Sequence, residues 1–434
     1  MIDCGMMRYT FLVLLALTIP AGAADWPEFQ GEGRQNVWSE NGIIEFFSAS
    51  QLKRKWSAPV GAGYSGPTVA DEGVFVMDRP NEAQERILCL DRETGAEKWI
   101  HAYDCAYGQI GYGYGPRGCV TIHNGRAYAM GTMGHLHCLD AGTGEVIWSR
   151  VLTEEYQVDM PIWGLTSSPL VEGDSVIVQA SAGPEGACVL ALDRDTGKEK
   201  WRAFKDKASY VAPMVIDQAG QRVLIAWTGF RIAGMNPTDG SVFWEVETRP
   251  NKMPINVPGP AFNADKTRAF LSVFYDGSRL LEIDQAAPKA KQLWARKGTS
   301  ERRTDALHAI ISPPYIRGDY IYGIDSYGEM RCLEMASGDR IWEDQTATKY
   351  GRWSTVFMVR HGENTWMVNE QGELILAKLD EKGYHEISRA KVIEPLTPLK
   401  QRENGFVMWA PPAFANQCVY IKNDKELVCV SLAK

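Results

Sequence analysis

Asp91-Arg-Glu-Thr94-Gly95-Ala-Glu-Lys-Trp99 decides the fold, because the chain writes it repeatedly. It returns as Asp140-Ala-Gly-Thr143-Gly144 running to Trp148, Asp193-Arg-Asp-Thr196-Gly197 running to Trp201, and Asn236-Pro-Thr-Asp239-Gly240 running to Trp244. Glu334-Met-Ala-Ser337-Gly338 to Trp342 keeps the spacing, and a looser copy runs from Asp284 to Trp294. Counted from Trp56, the Trp-to-Trp steps are 43, 49, 53, 43, 50 and 48 residues. A period of this size belongs to a solenoid or a propeller, not to independent domains.

Each unit explains itself locally. Before the acid comes a short apolar strand, such as Ile87-Leu-Cys-Leu90, Leu136-His-Cys-Leu139 or Val189-Leu-Ala-Leu192. Both of its faces suit a sheet sandwiched between neighbouring sheets. The acid accepts from turn amides, the Gly supplies φ > 0, and the chain returns through a strand bearing the Trp. Two further strands lie upstream, the first usually led by a Pro, which makes four antiparallel strands and therefore a propeller blade. Inner strands start at Pro67, Pro116, Pro169, Pro213, Pro260, Pro313, near Thr355 and at Pro412. The last unit lacks a fourth strand, whereas Leu52-Lys-Arg-Lys-Trp56 is an outer strand without a hairpin before it. The expectation is an all-β, eight-bladed β-propeller of four-stranded blades, its ring closed by the N-terminal strand. Blade seven, about 354–393, has no Trp at the outer-strand position.

The N-terminus reads as an address. Arg8 precedes Phe11-Leu-Val-Leu-Leu-Ala-Leu-Thr-Ile-Pro20, and Ala21-Gly-Ala-Ala24 follows. A basic start, a short apolar core and an A-x-A site make a secretory signal, too short for a stop-transfer helix. The chain divides into a signal peptide (1–24), an N-terminal arm (25–50) expected against the outside of the ring, and the propeller (51–434). Cys4 precedes the apolar run instead of following it, so no lipid anchor is expected. The expected product is exported, periplasmic or extracellular, and soluble, without a transmembrane segment after signal removal. A net charge of −8 gives no basic footprint for nucleic acid.

Cys89, Cys138, Cys332 and Cys429 occupy one slot in four blades and read as buried thiols doing the packing work of Ala or Val. Cys105, Cys119, Cys188 and Cys418 remain, with a Cys105–Cys119 bridge and free thiols both open. No Cys-x-x-Cys-His occurs, which excludes covalent c-type haem.

The strand–Asp-x-x-Thr-Gly-x-x-x-Trp unit resembles the repeat of the pyrroloquinoline quinone (PQQ) propellers and of their non-enzymatic BamB-type relatives, over roughly residues 52–432. Trp26-Pro-Glu-Phe29-Gln-Gly31 is similar to a Trp-Pro-x-Phe-Arg-Gly leader of such exported propellers, with Gln30 in place of the Arg. The resemblance implies that Trp56, Trp99, Trp148, Trp201, Trp244, Trp294 and Trp342 dock each blade on its neighbour. It specifies fold and not function, since the motif consists of turn and packing residues. The family's dehydrogenases stack the quinone under a disulfide of adjacent cysteines, above a Trp and beside Ca²⁺. This chain has no Cys-Cys pair and no evident set of Ca²⁺ ligands, so no cofactor is expected, with PQQ and Ca²⁺ as the alternative.

Other chemistry is sparse. His135 and His137 share a strand face, the spacing of a metal pair and equally of packed rings. Gly111-Tyr-Gly-Tyr-Gly-Pro-Arg117 lacks the Lys-Ser/Thr of a phosphate loop. One series stands out: the loops before the inner strands carry Tyr64, Tyr112 with Tyr114, Trp163, Tyr210, His308, Trp353 and Trp409, and only blade five, offering Asn256, breaks it. All these loops belong at one mouth of the central channel. Their rings either pack the strand entrances or, joined by Arg117 and Arg352, receive a planar ligand, a sugar or an extended peptide. The expected function is an exported, non-enzymatic binding or scaffold propeller whose partners are other envelope or exported proteins, or a small planar or glycan ligand at the mouth. The alternative is a PQQ- and Ca²⁺-dependent oxidoreductase.

Overall fold

In the computed structural model, residues 24–71, 73–399 and 405–434 are described. The expected signal peptide, but for Ala24, lies outside these described residues. Eight four-stranded antiparallel sheets follow one another around a ring, at 68–104, 121–151, 170–203, 214–247, 261–296, 315–344, 356–391, and 413–431 completed by Arg54–Pro59. The N-terminal strand pairs antiparallel with Glu426–Ser431, Trp56 opposite Cys429. That pairing closes the ring and removes two sheet edges.

The repeated motif builds the seams between blades. Asp91 Oδ1 accepts from the amides of Glu93 and Thr94 and from the Thr94 hydroxyl at 2.7–3.1 Å, and Gly95 turns at φ 72°. The same acceptor geometry recurs at Asp140 and Asp193. Over each such turn lies the Trp of the preceding blade, its indole N–H donating to a turn carbonyl: Trp56 to Arg92, Trp99 to Ala141, Trp148 to Arg194, Trp201 to Pro237, Trp294 to Met335 and Trp342 to Asp380, at 2.8–3.1 Å. Trp244 differs. It donates to Gln218 Oε1 at 2.9 Å, and Gln218 Nε2 donates onward to Asp284 and Lys289 carbonyls at 3.0 and 2.8 Å. A side-chain amide there bridges one blade to the next.

The arm does not lie on the outer wall, which corrects the expectation from sequence. Trp26 exchanges backbone hydrogen bonds with Val69, and Pro27 accepts from Ile122, in the inner strands of blades one and two. Asn36 and Trp38 then pair with Arg360 in the inner strand of blade seven. The arm therefore crosses one end of the channel before it turns outward along the seam between blades seven and eight. The physical reason is burial: Trp26, Trp38 and Phe47 are each 2% exposed, and no outer wall of polar strands could cover them. Trp38 packs against Trp366 and Phe414, and Phe47 stacks on Trp366 with centroids 5.9 Å apart. Phe47 thus fills the seam beside the blade that has no docking Trp. Arg34, also buried, donates to the carbonyls of Pro169 and Pro213 at 2.6 and 2.5 Å and pairs with Glu28 at 2.7 Å.

The eight cysteines of the described chain are all buried and unbridged, Cys105 and Cys119 included.

Candidate functional site

The loops leading into the inner strands converge at one end of the channel, and all eight blades line one cavity there. Its walls come from Tyr64, Tyr112 and Arg117, then Trp163 and Thr166, Tyr210, Val257, Ile310 with Ile311, Trp353, and Trp409. Phe29 of the arm reaches the same space from the opposite end. The cavity is a cup of about 160 Å³, closed below by the arm. A sequence reading confined to the rim misses Phe29, because nothing local in the arm marks it as a channel residue.

Of the rim residues expected from sequence, Tyr64, Arg117, Trp163, Tyr210, Trp353 and Trp409 are brought together in the cup. Tyr114 is not: Tyr112 takes the inward position, and Tyr114 faces a neighbouring groove beside Arg79 and Asn81. His308 is 1% exposed and away from the cup, with its ring between the Gly298 amide and the Phe274 carbonyl. Arg352 stands behind the wall, 4.5 Å over the Trp353 ring and paired with Glu301 at 2.9 Å. Blade five, which breaks the aromatic series with Asn256, contributes Val257 to the cup. Asn256 is buried and donates to the Thr228 carbonyl at 2.9 Å. Blade six supplies Ile310 and Ile311.

Among the described residues the cup is aromatic with one cation. Arg117 sits 5.3 Å from the Tyr64 ring and donates to the carbonyls of Gly111, Tyr112 and Gly115 at 2.6–2.8 Å. Burial lowers its pKa, since the charged form loses water. Burial likewise raises the Tyr64 phenol far above its usual range and pushes Tyr210 up to about 12. Tyr64 Oη and Trp353 Nε1 are buried without a hydrogen-bond partner among the described residues. Buried polar atoms are ordinarily paired, by protein groups or by ordered water.

Among the described residues the lining contains no Asp, Glu, Asn or Gln side chain. The six to eight oxygens that Ca²⁺ takes are therefore not offered. The volume also falls below the roughly 300 Å³ at which pockets for ligands of a quinone cofactor's size begin. A quinone held beside Ca²⁺ does not fit these residues. Elsewhere, His135 and His137 do share a face and stack on each other, but both tilt against Tyr103 and His137 meets His101 edge-on, in the seam between blades one and two. Among the described residues no group of three or more His, Cys, Asp or Glu is placed to hold a metal.

Fold and site together define an eight-bladed repeat propeller with a plugged channel and an aromatic mouth. The model of the family described as outer membrane protein assembly factor BamB matches residues 111–343 and 217–383, together more than half of the chain. The chain belongs to this family. It is 25% identical over 218 residues to the quinohemoprotein alcohol dehydrogenase of Comamonas testosteroni, covering 48% of this chain and 29% of that one. It is 23% identical over 265 residues to the outer membrane protein assembly factor BamB of Yersinia pestis, covering 58% of this chain and 61% of that one. The chain thus spans less than two thirds of either relative. Among solved structures, BamB from Moraxella catarrhalis matches with a TM-score of 0.58 at 16% identity, over 88% of this chain and 97% of that one. A europium-containing methanol dehydrogenase matches with a TM-score of 0.67 at 13% identity, over 94% and 98%. These structural likenesses carry the fold alone. Among the described residues no helix is long and apolar enough to cross a membrane.

Proposed function

We propose that this chain is an exported, non-enzymatic binding propeller that holds another envelope protein at its channel mouth, consistent with the assembly role named in its family's description. The carrying observation is the cup: all eight blades and the arm contribute to a single aromatic-walled recess, with no carboxylate in its lining among the described residues. Acid–base or metal-assisted chemistry needs titratable groups placed to touch substrate, and among the described residues these walls offer rings, two hydroxyls and one arginine. Three exposed apolar side chains flank it in the same loops, Ile162 at 47%, Tyr350 at 61% and Phe406 at 54%. Apolar exposure around an aromatic recess is the composition of an interface centre. No cofactor belongs to this reading.

The test is site-specific photocrosslinking in cells from Ile162 or Phe406 at the mouth, against Ile341 on an outer strand. The expected result is one defined partner crosslinked from the mouth positions and lost in Trp163→Ala with Trp409→Ala. Crosslinks from Ile341 alone would overturn the mouth as the partner surface. Quinone and Ca²⁺ are expected to leave the melting temperature unchanged. A ligand at 100 times its Kd would stabilise by about 2.7 kcal/mol, and such a shift with dye-linked alcohol turnover would replace this reading by an oxidoreductase.

A further inference from the structure

Tyr112 stands where a ligand ring would stand. It comes from the connection into blade two, yet its ring meets Trp163, Trp353 and Trp409 of blades three, seven and eight, edge to face, with centroids 6.0, 5.6 and 5.9 Å apart. One side chain thus spans the axis of the mouth and sits among three tryptophans, an arrangement that aromatic quadrupoles favour.

The segment that carries it is glycine-rich, and Gly111 and Gly115 lie close against Trp163 and Ala62. Gly108-Gln-Ile-Gly111-Tyr112-Gly113-Tyr114-Gly115 has glycine at every second or third position. Tyr112 itself adopts φ 55°, a left-handed conformation unfavourable for a residue with a side chain. Two arginines anchor the segment together with the Gly111 N–H, which donates to the Ile162 carbonyl at 2.6 Å. Arg79 donates to the Gly113 carbonyl at 2.8 Å, and Arg117 holds the carbonyls of Gly111, Tyr112 and Gly115. Arg117 hydrogen-bonds neutral oxygens only, those three and the Thr132 hydroxyl at 3.4 Å, while the Glu85 carboxylate acts on it through charge alone. A carboxylate is a stronger acceptor for a guanidinium than a carbonyl, through charge assistance and a bidentate fit.

We propose that Tyr112 is a tethered occupant of the cup, and that the site it fills takes a free single-ring aromatic acid, which displaces it. This rests on reading the cup as a binding site. The exchange is like for like. The incoming ring replaces the phenol among Trp163, Trp353 and Trp409, and its carboxylate replaces the loop carbonyls on Arg117. Release of Tyr112 relieves its backbone conformation and adds the volume of a phenol ring to a cavity of about 160 Å³. Tyr64 Oη and Trp353 Nε1 then have a polar ligand group within the same chamber. The closed loop lowers the apparent affinity in proportion to the fraction of molecules in which it is open.

The experiment titrates 4-hydroxyphenylacetate, with p-cresol as its uncharged counterpart, into the full chain and follows tryptophan emission. Tyr112→Ala is expected to bind the acid at least about tenfold more tightly than the unsubstituted chain, while Tyr112→Phe, which keeps the ring, binds as the unsubstituted chain does. Arg117→Gln in the Tyr112→Ala background is expected to lose the preference for the acid over p-cresol. Amide hydrogen exchange over 108–115 in the unsubstituted chain should accelerate when the acid saturates it, a readout independent of whether any variant folds. Equal affinity in Tyr112→Ala and the unsubstituted chain, equal affinity for acid and cresol, or unchanged exchange overturns the proposal. If these fail while mouth crosslinks persist, the partner-binding role stands and only the tethered occupant falls.

Discussion

The indole of Trp56 covers Gly95 so closely that a Cβ added to the glycine would stand 2.6 Å from the ring. The two residues belong to blades eight and one, and the Trp56 N–H donates to the Arg92 carbonyl at 2.9 Å. The contact is therefore the ring's own closure. The same near-contact recurs between Trp99 and Gly144, Trp148 and Gly197, and Trp201 and Gly240, at 2.5–2.8 Å. Glycine serves two needs here, the positive φ of the turn and the close approach of the neighbouring indole.

Gly95→Ala is accordingly expected to cost more than a turn glycine on an open surface. Strain at positive φ contributes about 1 kcal/mol, and displacement of the Trp56 ring adds to it, for a total of about 2–4 kcal/mol. Gly125 is the control: its φ is 71° and an added Cβ meets nothing within 4 Å. Urea denaturation of Gly95→Ala and Gly125→Ala separates the two contributions, and equal losses would refute a seam role for Gly95.

Gln218 makes a second seam prediction. Its amide joins Trp244 to the carbonyls of Asp284 and Lys289 and is fully buried. Gln218→Leu leaves those three groups unpaired and should cost about 3 kcal/mol. Combined with Trp244→Phe, the loss should be less than additive, because the second change removes a donor that the first has already orphaned. Strict additivity in a double-mutant cycle would show that the bridge is not a unit.

The repeat was legible because its signal is local: acid, glycine and tryptophan at fixed spacing force a turn, a φ > 0 position and an outer strand. Closure was legible too, since Leu52–Trp56 had no other place to pair. What escaped depends on contacts distant in sequence. The relay through Gln218 requires knowing how the Asp284 turn lies against its neighbour. The path of the arm depends on Arg34 finding carbonyls 135 and 179 residues away. At the mouth, loop aromatics were visible as types, but whether Tyr112 or Tyr114 points inward is set by the left-handed backbone at Tyr112. His308 carried a polar ring, which its backbone partners claimed.

Arg34 offers a test of the arm. Its guanidinium is buried and satisfied by Glu28 and by carbonyls of blades three and four. Arg34→Met strands Glu28 and these carbonyls, with an expected loss of about 3 kcal/mol. Limited proteolysis should then cut within 25–37, where the unsubstituted chain resists. Retained resistance with unchanged stability would contradict an anchoring role.

Acid stability should report on His137. It is 4% exposed, neither ring nitrogen has a partner among the described residues, and burial beside His101 and His135 pushes its pKa down to about 3. In the unfolded chain the ring titrates near 6.5. Between those values the unfolded state binds the extra proton, so stability falls as pH drops below about 6.5, by about 2 kcal/mol at pH 5. His137→Leu removes that proton uptake. Denaturation at pH 7.5 and pH 5 should show the variant gaining about 2 kcal/mol relative to the unsubstituted chain, and a pH-independent difference would rule the histidine out as the source.

The cup walls divide by burial, and this yields the last prediction. Trp353 is 9% exposed and packs among Phe274, Tyr112 and Trp163, so Trp353→Ala should cost about 3 kcal/mol whatever the site binds. Trp163 and Trp409 are only half-buried. Trp163 leans on Tyr210 with centroids 4.8 Å apart, and the Trp409 N–H reaches Glu370 at 3.2 Å, which leaves part of each ring uncovered. Packing rings would lose stability on truncation in proportion to their burial, whereas recognition rings would lose binding out of proportion to it. Trp163→Ala and Trp409→Ala are therefore expected to cost less stability than Trp353→Ala, while each reduces mouth crosslinking at least about tenfold. The measurement pairs calorimetric melting with crosslink yield for all three variants. If binding loss tracks stability loss across the three, the aromatic mouth is only the packing of the strand entrances.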